Sequence, residues 1–374
     1  MAIRGRRRVT PGVHRLGLIG NPENRRVRHF VEAMTARGLP RPPVVSWMSL
    51  LRDEYEWNAL ERAETWRIDS AGEDEAVTHE LIRLGGGSPD ARLAFGEIDH
   101  LRELHAGFAK LLQRLESRDT KWQAPPSSIL AMFDKWVGHE RFVAAGLPRP
   151  ESQRAPTDLA AFRAERREQR SGRIFLKPYF SSSASGTCAL RWSGDREQLI
   201  APIQLQVGDD GRLRFFNSLR VRSYARREDI DAILAHLLPQ GMIQETWLPK
   251  ARLDGLGFDL RILVIDGEAR HVVVRQSRHP MTNLHLGNRR GDLGALRDSL
   301  GNDALQSCRD LAEQAAACFP DALHAGIDVL LTPQGRPFVV EINAFGDLLP
   351  GLRHRGQTTY EAILEASLAC SRAA

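Results

Sequence analysis

The chain has 374 residues, 42% apolar and 26% charged, a composition typical of a globular protein with two or three packed units. No apolar run approaches the roughly 18 residues that cross a bilayer, and the basic residues 1–8 lack the apolar stretch of a secretory signal. Four cysteines without paired spacing argue against disulfides or zinc and favour a cytoplasmic location. The net charge of +5 is spread among acidic residues, so neither nucleic acid nor a membrane is expected as a partner.

The first third of the chain predicts a parallel α/β unit. Residues 14–20 indicate a strand, 23–37 a helix and 44–47 a second strand, which is the opening of a Rossmann-like domain. Helices are expected at residues 74–84 and 97–118, where apolar side chains recur with a helical period. The domain boundary is expected near residue 119.

The remaining chain predicts mixed helices and strands. Helices are expected at residues 128–145, 195–206, 227–238, 301–318 and 359–369. Strands are expected at residues 173–178, 188–192, 213–221, 242–247, 258–265, 269–276, 326–331 and 337–343. Asp266-Gly267 is a strong hairpin turn, and a second hairpin is expected to turn about Gln334.

The second hairpin carries three oxygen ligands. Glu341 and Asn343 alternate along one strand and therefore share a face, and the hairpin brings Asp328 opposite or diagonal to Glu341. Two carboxylates among apolar residues would repel each other and would be costly to bury. A hard cation such as Mg²⁺ would offset that cost, with Mn²⁺ as an alternative. The other interpretation is a half-buried hairpin with a polar outer face.

A lysine and a small-residue loop follow the strand at 173–178. Lysine is scarce here: of 52 basic residues only five are lysines, so each one retained suggests a need for a compact ammonium. Lys177 ends the strand, and the loop 181–187 after it (SSSASGT) offers backbone N–H groups and hydroxyls to phosphate oxygens. An ordinary flexible hairpin loop is the alternative.

Two further segments have weaker signals. Gln244 and Glu245 end a strand where the backbone could pair with an adenine edge and the glutamate could receive a ribose or amino group. Arg261 lies two residues after Asp259 inside an apolar strand, which indicates a partner in a cleft, either a phosphate or a carboxylate intermediate. A salt bridge between Arg261 and Asp259 is the competing interpretation.

Taken in order, these segments resemble the ATP-grasp superfamily, particularly its carboxylate–amine ligase branch, which includes glutathione synthetase and the D-alanine ligases. Phe133-Asp134-Lys135 followed by residues 145–150 (AGLPRP) looks like the family's opening helix and loop. Arg275 with Thr282-Asn283 is similar to a later stretch of the family. The match covers about residues 128–350. It departs in the loop 181–187, and at residues 344–347 (AFGD), where relatives have Ser-Pro-Gly.

The resemblance implies a role for each matching residue. Lys135 and Lys177 would bind ATP phosphates, and residues 181–187 would form a mobile lid. Asp328, Glu341 and Asn343 would bind magnesium. The catalytic residues near the transferred phosphate would be Arg261, Arg275 and Asn283. The remaining nucleotide-binding residues would be Ser181, Ser182, Ser183, Ser185, Gly186, Gln244, Glu245 and Trp247.

The resemblance also implies the architecture and the reaction. We expect an α/β chain with an N-terminal Rossmann-like domain at 1–119 and an ATP-grasp domain at 120–374. The small lobe would span about 146–247, and the large lobe 120–145 and 248–374. Mg·ATP between the lobes would activate a substrate carboxylate, of a small molecule or peptide, as an acyl phosphate that an amine then attacks.

Three points stay open at this stage. The alternatives to a ligase are an ATP-grasp phosphotransferase, which stops after the first step, and a non-catalytic nucleotide-binding protein. A homodimer is compatible with the sequence. His279, His285 and the arginines at 278, 289 and 290 could grip an acidic substrate, or could form a solvated basic loop.

Overall fold

The structure is a computed structural model that describes residues 15–52, 56–89 and 93–373. Residues 1–8 and the predicted strand's first residue, His14, lie outside the described residues. Within the described ranges, no helix combines the length and the apolar character needed to span a membrane.

The N-terminal layer is a parallel sheet of order β2-β1-β3-β4. Its strands are β1 (Leu16–Ile19), β2 (Val44–Val45), β3 (Thr65–Ile68) and β4 (Lys121–Trp122). Its helices are α1 (Arg25–Ala36), α2 (Trp47–Leu51), α3 (Glu75–Leu84) and α4 (Leu101–Glu116), with a 3₁₀ turn at Glu56–Arg62. Asn24 and Asp74 cap α1 and α3 through side-chain oxygens. The predicted opening of strand, helix and strand is confirmed.

Two helices follow, α5 (Pro126–Phe133) and α6 (Lys135–Ala144). The single helix predicted at 128–145 is wrong at its centre. Asp134 has an extended backbone there, and its carboxylate accepts hydrogen bonds from Trp136 N and Val137 N, so it ends α5 and caps α6. This cap places Lys135 at the first position of α6.

The second sheet is antiparallel, six-stranded and of order β5-β10-β6-β7-β8-β9. Its elements are β5 (Ser152–Arg154), α7 (Leu159–Arg167), β6 (Ser171–Pro178), β7 (Cys188–Ser193), β8 (Arg196–Val207), β9 (Leu213–Tyr224), α8 (Arg227–Leu237) and β10 (Met242–Thr246). The helix predicted at 195–206 is wrong. Gly194, with φ of 55°, makes a tight turn after β7, and the chain returns as β8 between two strands.

The third sheet is also antiparallel, with the main order β14-β13-β12-β15-β16. Its elements are β11 (Arg252–Leu253), β12 (Leu256–Ile265), β13 (Glu268–Ser277), β14 (Arg289–Gly291), α9 (Leu293–Leu300), α10 (Asn302–Ala317), β15 (His324–Leu331), β16 (Pro337–Asn343) and α11 (Thr359–Ala373). Both predicted hairpins are confirmed, and Asp328 pairs directly with Glu341.

The N-terminal layer packs against both of the other sheets. Ile98 N donates to Phe215 O at 2.7 Å, so residues 97 and 98 pair with β9 and the predicted helix 97–118 begins only at Leu101. On the other side, buried residues of β1 and α1 form one core with α11 and the third sheet.

A buried charge cluster joins the N-terminal layer to the segment after β16. Asp347, which is fully buried, accepts hydrogen bonds of 2.5 Å from Arg26 Nη1 and Arg67 Nη2. Arg67 Nη2 also donates to Asp69 Oδ1 at 2.7 Å. Residues 344–347, whose sequence departs from the ATP-grasp pattern, are therefore fixed by the N-terminal layer.

Candidate active site

A cleft with about 830 Å³ of open space lies between the second and third sheets. Eleven of the sixteen predicted site residues line it. They are Lys135, Lys177, Ser181, Ser183, Glu245, Arg261, Arg275, Asn283, Asp328, Glu341 and Asn343. Residues from positions 135 to 343 thus meet at one place.

Lys177 and Glu245 form a buried ion pair in the second sheet. β6 and β10 run antiparallel, and the two residues lie diagonally on one face, where Lys177 Nζ contacts Glu245 Oε2. Burial acts to lower the pKa of Lys177, but the carboxylates of Glu245 and Glu341 outweigh it, and the pKa is raised. Lys177 is therefore a cation at neutral pH.

The charges of the third sheet lie on one face of four strands, in two neighbouring rows. Arg275 on β13 is opposite Asp259 on β12, Arg261 on β12 is opposite Asp328 on β15, and Asp328 is opposite Glu341 on β16. Arg275 Nε donates to Asp259 Oδ1 at 2.7 Å. The partner of Arg261 is Asp328, not Asp259, because paired strands bring these residues face to face.

Asp328 is held by two arginines. Arg261 donates to both of its oxygens, and Arg275 Nη2 lies 3.1 Å from Oδ2. Burial acts to raise the pKa of Asp328, but Arg261 and Arg275 outweigh it, so the pKa is lowered. The repulsion expected between the two carboxylates is therefore offset at Asp328 by protein cations.

Lys135 neutralises the other carboxylate. Its ammonium lies 3.4 Å from Glu341 Oε1 and donates to the backbone oxygen of Ser181. The cleft lining then holds five cationic side chains (Lys135, Lys177, Lys250, Arg261 and Arg275) and four carboxylates (Glu245, Asp259, Asp328 and Glu341). An excess of one positive charge favours an anionic ligand.

The predicted metal ligands fit a cation that is shared with phosphate. Among the described residues, no group of three or more His, Cys, Asp and Glu side chains is placed to hold a metal by itself. Asp328 and Glu341 are adjacent, and Asn343 Nδ2 donates to Gly326 O at 3.3 Å, which orients its amide oxygen away from that carbonyl. Two carboxylates and an amide are a ligand set that Mg²⁺ completes with phosphate oxygens and water.

Lys250 is a cleft residue that the sequence analysis did not assign. Its ammonium donates to Asp259 Oδ2 at 3.0 Å and to Thr282 Oγ1 at 2.8 Å. Burial lowers the pKa of Lys250, although Asp259 acts in the opposite direction. The scarcity of lysine was the available signal, because three of the five lysines meet in this cleft.

The loop 181–187 lies across one side of the cleft. Ser183 and Ala184 both have left-handed backbones, with φ of 57° and 58°, in a pair of consecutive turns closed by Ser185 N to Ser182 O and Thr187 N to Ala184 O. The ring of His285 contacts the backbone oxygen of Ser183 at 2.5 Å. Together with the Lys135 contact, this ties the loop to α6 and to the segment around residue 285.

Five predicted nucleotide-binding residues lie outside the cleft lining in the described structure: Ser182, Ser185, Gly186, Gln244 and Trp247. Gln244 points to the opposite face from Glu245 and accepts a hydrogen bond from Arg166 Nη2, because side chains alternate along β10. Trp247 packs on Phe175. From this segment, Glu245 and Thr246 line the cleft.

The predicted basic loop does not form part of the cleft lining. Arg289 pairs with Asp254 at 3.2 Å where both side chains are more than half exposed, and Arg290 donates to Pro350 O. Of the loop residues named above, His285 contacts the candidate lid. These contacts favour the solvated interpretation for Arg289 and Arg290, whereas His285 lines a second cavity beside the cleft.

Solved structures share the architecture along nearly the whole chain. The ATP-grasp ligase PsnB, in a complex with a phosphomimetic variant of a minimal precursor, Mg and ADP, matches with a TM-score of 0.53 at 16% identity, covering 96% of this chain and 99% of that chain. D-cycloserine synthetase DcsG matches with a TM-score of 0.55 at 15% identity, covering 94% of this chain and 99% of that chain. The chain has the ATP-grasp fold.

The ADP complex of purK, an N5-carboxyaminoimidazole ribonucleotide synthetase, matches this ATP-grasp chain with a TM-score of 0.57 at 11% identity, covering 94% of this chain and 76% of that chain. No protein-family model matches the chain, and no curated protein matches it in sequence. The predicted fold class, an ATP-grasp fold with an N-terminal α/β domain, is confirmed.

Proposed function

We propose that this protein is an ATP-dependent ligase that joins a carboxylate to an amine, with Mg·ATP bound in the cleft between the second and third sheets. One observation carries the proposal. Arg261, Arg275 and Asn283 are predicted to contact the γ-phosphate. All three line both the cleft and a second, larger cavity beside it. A phosphoryl group in the cleft would therefore face a substrate in the second cavity.

The cationic side chains support the first step. Lys135 and Lys177 would hold the phosphates, and Arg261 and Arg275 would stabilise the charge that develops as a carboxylate oxygen attacks the γ-phosphorus and ADP leaves. Mg²⁺ on Asp328, Glu341 and Asn343 would neutralise and orient the phosphate oxygens. PsnB, which shares the fold, has a structure with Mg and ADP.

The second step needs no protein nucleophile. The amine attacks the carbonyl carbon of the acyl phosphate, inorganic phosphate leaves with the bond electrons, and the amine gives up a proton. The loop 181–187, closed over the phosphate end, would exclude water that could otherwise hydrolyse the acyl phosphate.

Hydroxylamine tests the reaction class without knowledge of the natural amine. An acyl phosphate reacts with it to give a hydroxamate, which Fe(III) colours. We expect hydroxamate to form from a carboxylate pool with Mg·ATP, in step with ADP. ADP formation from an alcohol, with no hydroxamate from any acid, would support a phosphotransferase instead. No turnover together with Mg·ATP binding would support a non-catalytic protein.

The metal assignment has its own test. Glu341→Gln keeps the shape of the side chain but removes a charge beside Lys135. We expect it to abolish the Mg²⁺-dependent stabilisation by ATP, which for a ligand at a hundredfold excess over Kd is about 2.7 kcal/mol. Thermal melts with and without Mg·ATP measure this, and Glu165→Gln on the exposed side of α7 is the control. A full ligand response in Glu341→Gln would refute the metal assignment.

A further inference from the structure

A second cavity, with about 1600 Å³ of open space, adjoins the nucleotide cleft. We call it the chamber. The N-terminal layer, α5, the candidate lid and the segment after β16 all contribute to its walls. Eight residues line both the chamber and the cleft: Lys135, Ser181, Ser183, Arg261, Arg275, Asn283, Glu341 and Asn343. The chamber therefore opens onto the predicted phosphate end.

Away from this shared edge the chamber has an apolar wall. The large apolar side chains of Leu104, Phe133, Leu284, Phe345 and Leu348 line it and are only half-buried. They come from four parts of the chain and meet here. Apolar surface that is gathered in a cavity and left open to water is typical of a site that an apolar ligand covers.

The wall is braced by aromatic packing behind it. The ring of Phe133 packs edge-on against Phe108 with centroids 5.6 Å apart, and lies parallel to the ring of His105 at 6.2 Å. Burial lowers the pKa of His105, which favours its neutral form there. Phe133 is thus held in place by the rings behind it.

The chamber's cations are already paired within the protein. Arg26 contacts Asp347, Lys135 contacts Glu341, and Arg261 and Arg275 contact Asp328. Glu73 adds a carboxylate at an exposed edge. Among the residues that the structure describes, the chamber therefore offers one cationic edge at the phosphate end and no second cationic patch for a polyacidic substrate.

We propose that the carboxylate substrate is an acid with a single carboxylate and an apolar body, either aryl or branched aliphatic. This rests on the proposed ligase function. The carboxylate would lie at the shared edge, beside Arg261 and Arg275, and the body would cover the apolar wall. Leu104, on α4, makes the N-terminal domain a determinant of substrate specificity.

Matched acids test this directly on the wild-type protein. The probes are 3-phenylpropanoate and 4-methylpentanoate, compared with succinate and glutarate. Calorimetry with Mg·ADP present measures binding, and the hydroxylamine reaction measures activation. We expect both apolar acids to bind at least about tenfold more tightly than the diacids, because only their apolar bodies remove the surface of the wall from water. They should also give the faster hydroxamate formation.

Two leucine variants then locate the site. Leu104→Asn should weaken 3-phenylpropanoate binding about tenfold, because it removes one apolar contact of the wall. Leu219→Asn makes the same change at a residue of β9 that is 71% exposed, and should leave binding unchanged. Melting curves show whether both variants fold. If either does not, the comparison of the four acids on the wild-type protein still tests the proposal.

The outcomes separate the two proposals. Hydroxamate formed faster from the diacids would overturn the apolar substrate and keep the ligase. Tight binding of the apolar acids without hydroxamate from any acid would support the chamber and overturn the ligase. Equal binding of all four acids, or equal effects of the two leucine variants, would overturn the inference drawn here about the chamber.

Discussion

The buried cluster around Asp347 should dominate the stability of the packing between the N-terminal layer and the third sheet. Burial acts to raise the pKa of Asp347, but Arg67 and Arg26 outweigh it, and the pKa lies well below its ordinary value. Burial raises the pKa of Asp69, the other carboxylate beside Arg67, which accepts hydrogen bonds from Arg67 Nε and Nη2. Asp347→Asn leaves the two cations Arg67, which is 1% exposed, and Arg26 with Asp69 in place of two carboxylates.

The size of the effect follows from the contacts. Arg26 and Arg67 donate to different oxygens of Asp347, so an asparagine keeps one acceptor and turns its NH2 group toward the other guanidinium. The lost hydrogen bond to a charged group costs about 1.5–3 kcal/mol. The positive charge left in excess in the buried cluster brings the total to about 3–5 kcal/mol. Urea unfolding followed by tryptophan fluorescence measures this loss.

A surface pair elsewhere between α1 and the C-terminal part of the chain is the control. Arg37 Nη2, at the end of α1, contacts Glu365 Oε2 on α11 at 2.7 Å, but the side chains are 33% and 52% exposed. Glu365→Gln should cost less than about 1 kcal/mol, because water screens an exposed pair. If the losses of unfolding free energy in Asp347→Asn and Glu365→Gln differ by less than about 1 kcal/mol, the buried cluster does not stabilise this packing as described.

Three further predictions concern the cleft and the pH dependence. Lys177→Arg should weaken the binding of a fluorescent ATP analogue about tenfold, because a planar guanidinium group does not replace a compact ammonium. Lys110→Arg, at an exposed position of α4, should leave the affinity unchanged. Equal affinities of the two variants would refute the role of Lys177. Hydrogen exchange should show residues 181–187 becoming protected when Mg·ATP binds, and an unchanged rate would argue against a lid. Burial lowers the pKa of His324 to about 4 from an ordinary 6.5. Between pH 6.5 and pH 4 the unfolded state therefore binds a proton that the folded state does not, and the free energy of unfolding falls as the pH is lowered. His324 contributes about 1.4 kcal/mol per pH unit to this fall in the free energy of unfolding, and His324→Gln should remove that contribution. Urea unfolding of the wild type and the variant at pH 7 and pH 5 measures it. The same change between the two pH values in both proteins would contradict this prediction.

The sequence predicted the parts of the fold that local patterns determine. The hairpin about Asp266-Gly267 and the pairing of Asp328 with Glu341 follow from a strong turn and from alternation along strands, which need no knowledge of the rest of the chain. The strand β8 was predicted as a helix because its own residues do not decide the issue. Its conformation is determined by pairing with β7 and β9 on either side.

Long-range charge pairs were beyond sequence reasoning. Arg67 and Asp347 are 280 positions apart, and Lys250 contacts Thr282 beyond the end of β13. The local sequence pattern therefore predicts neither contact. The arginine partners of Asp328 were missed for the same reason. Without them, the electrostatic repulsion between Asp328 and Glu341 was expected to be larger than it is. Eleven of the sixteen predicted residues line one cleft, but the neutralisation of their charges depends on packing.

The central claim is that the γ-phosphoryl group of ATP passes to a carboxylate. The most direct test labels the acid selected by the hydroxylamine screen with ¹⁸O in both carboxylate oxygens, and analyses the released phosphate by mass spectrometry. Attack by the carboxylate on phosphorus predicts one ¹⁸O atom in each phosphate, because the bridging oxygen leaves with phosphorus when the amine attacks carbon. Release of unlabelled phosphate, or formation of AMP in place of ADP, would contradict the account.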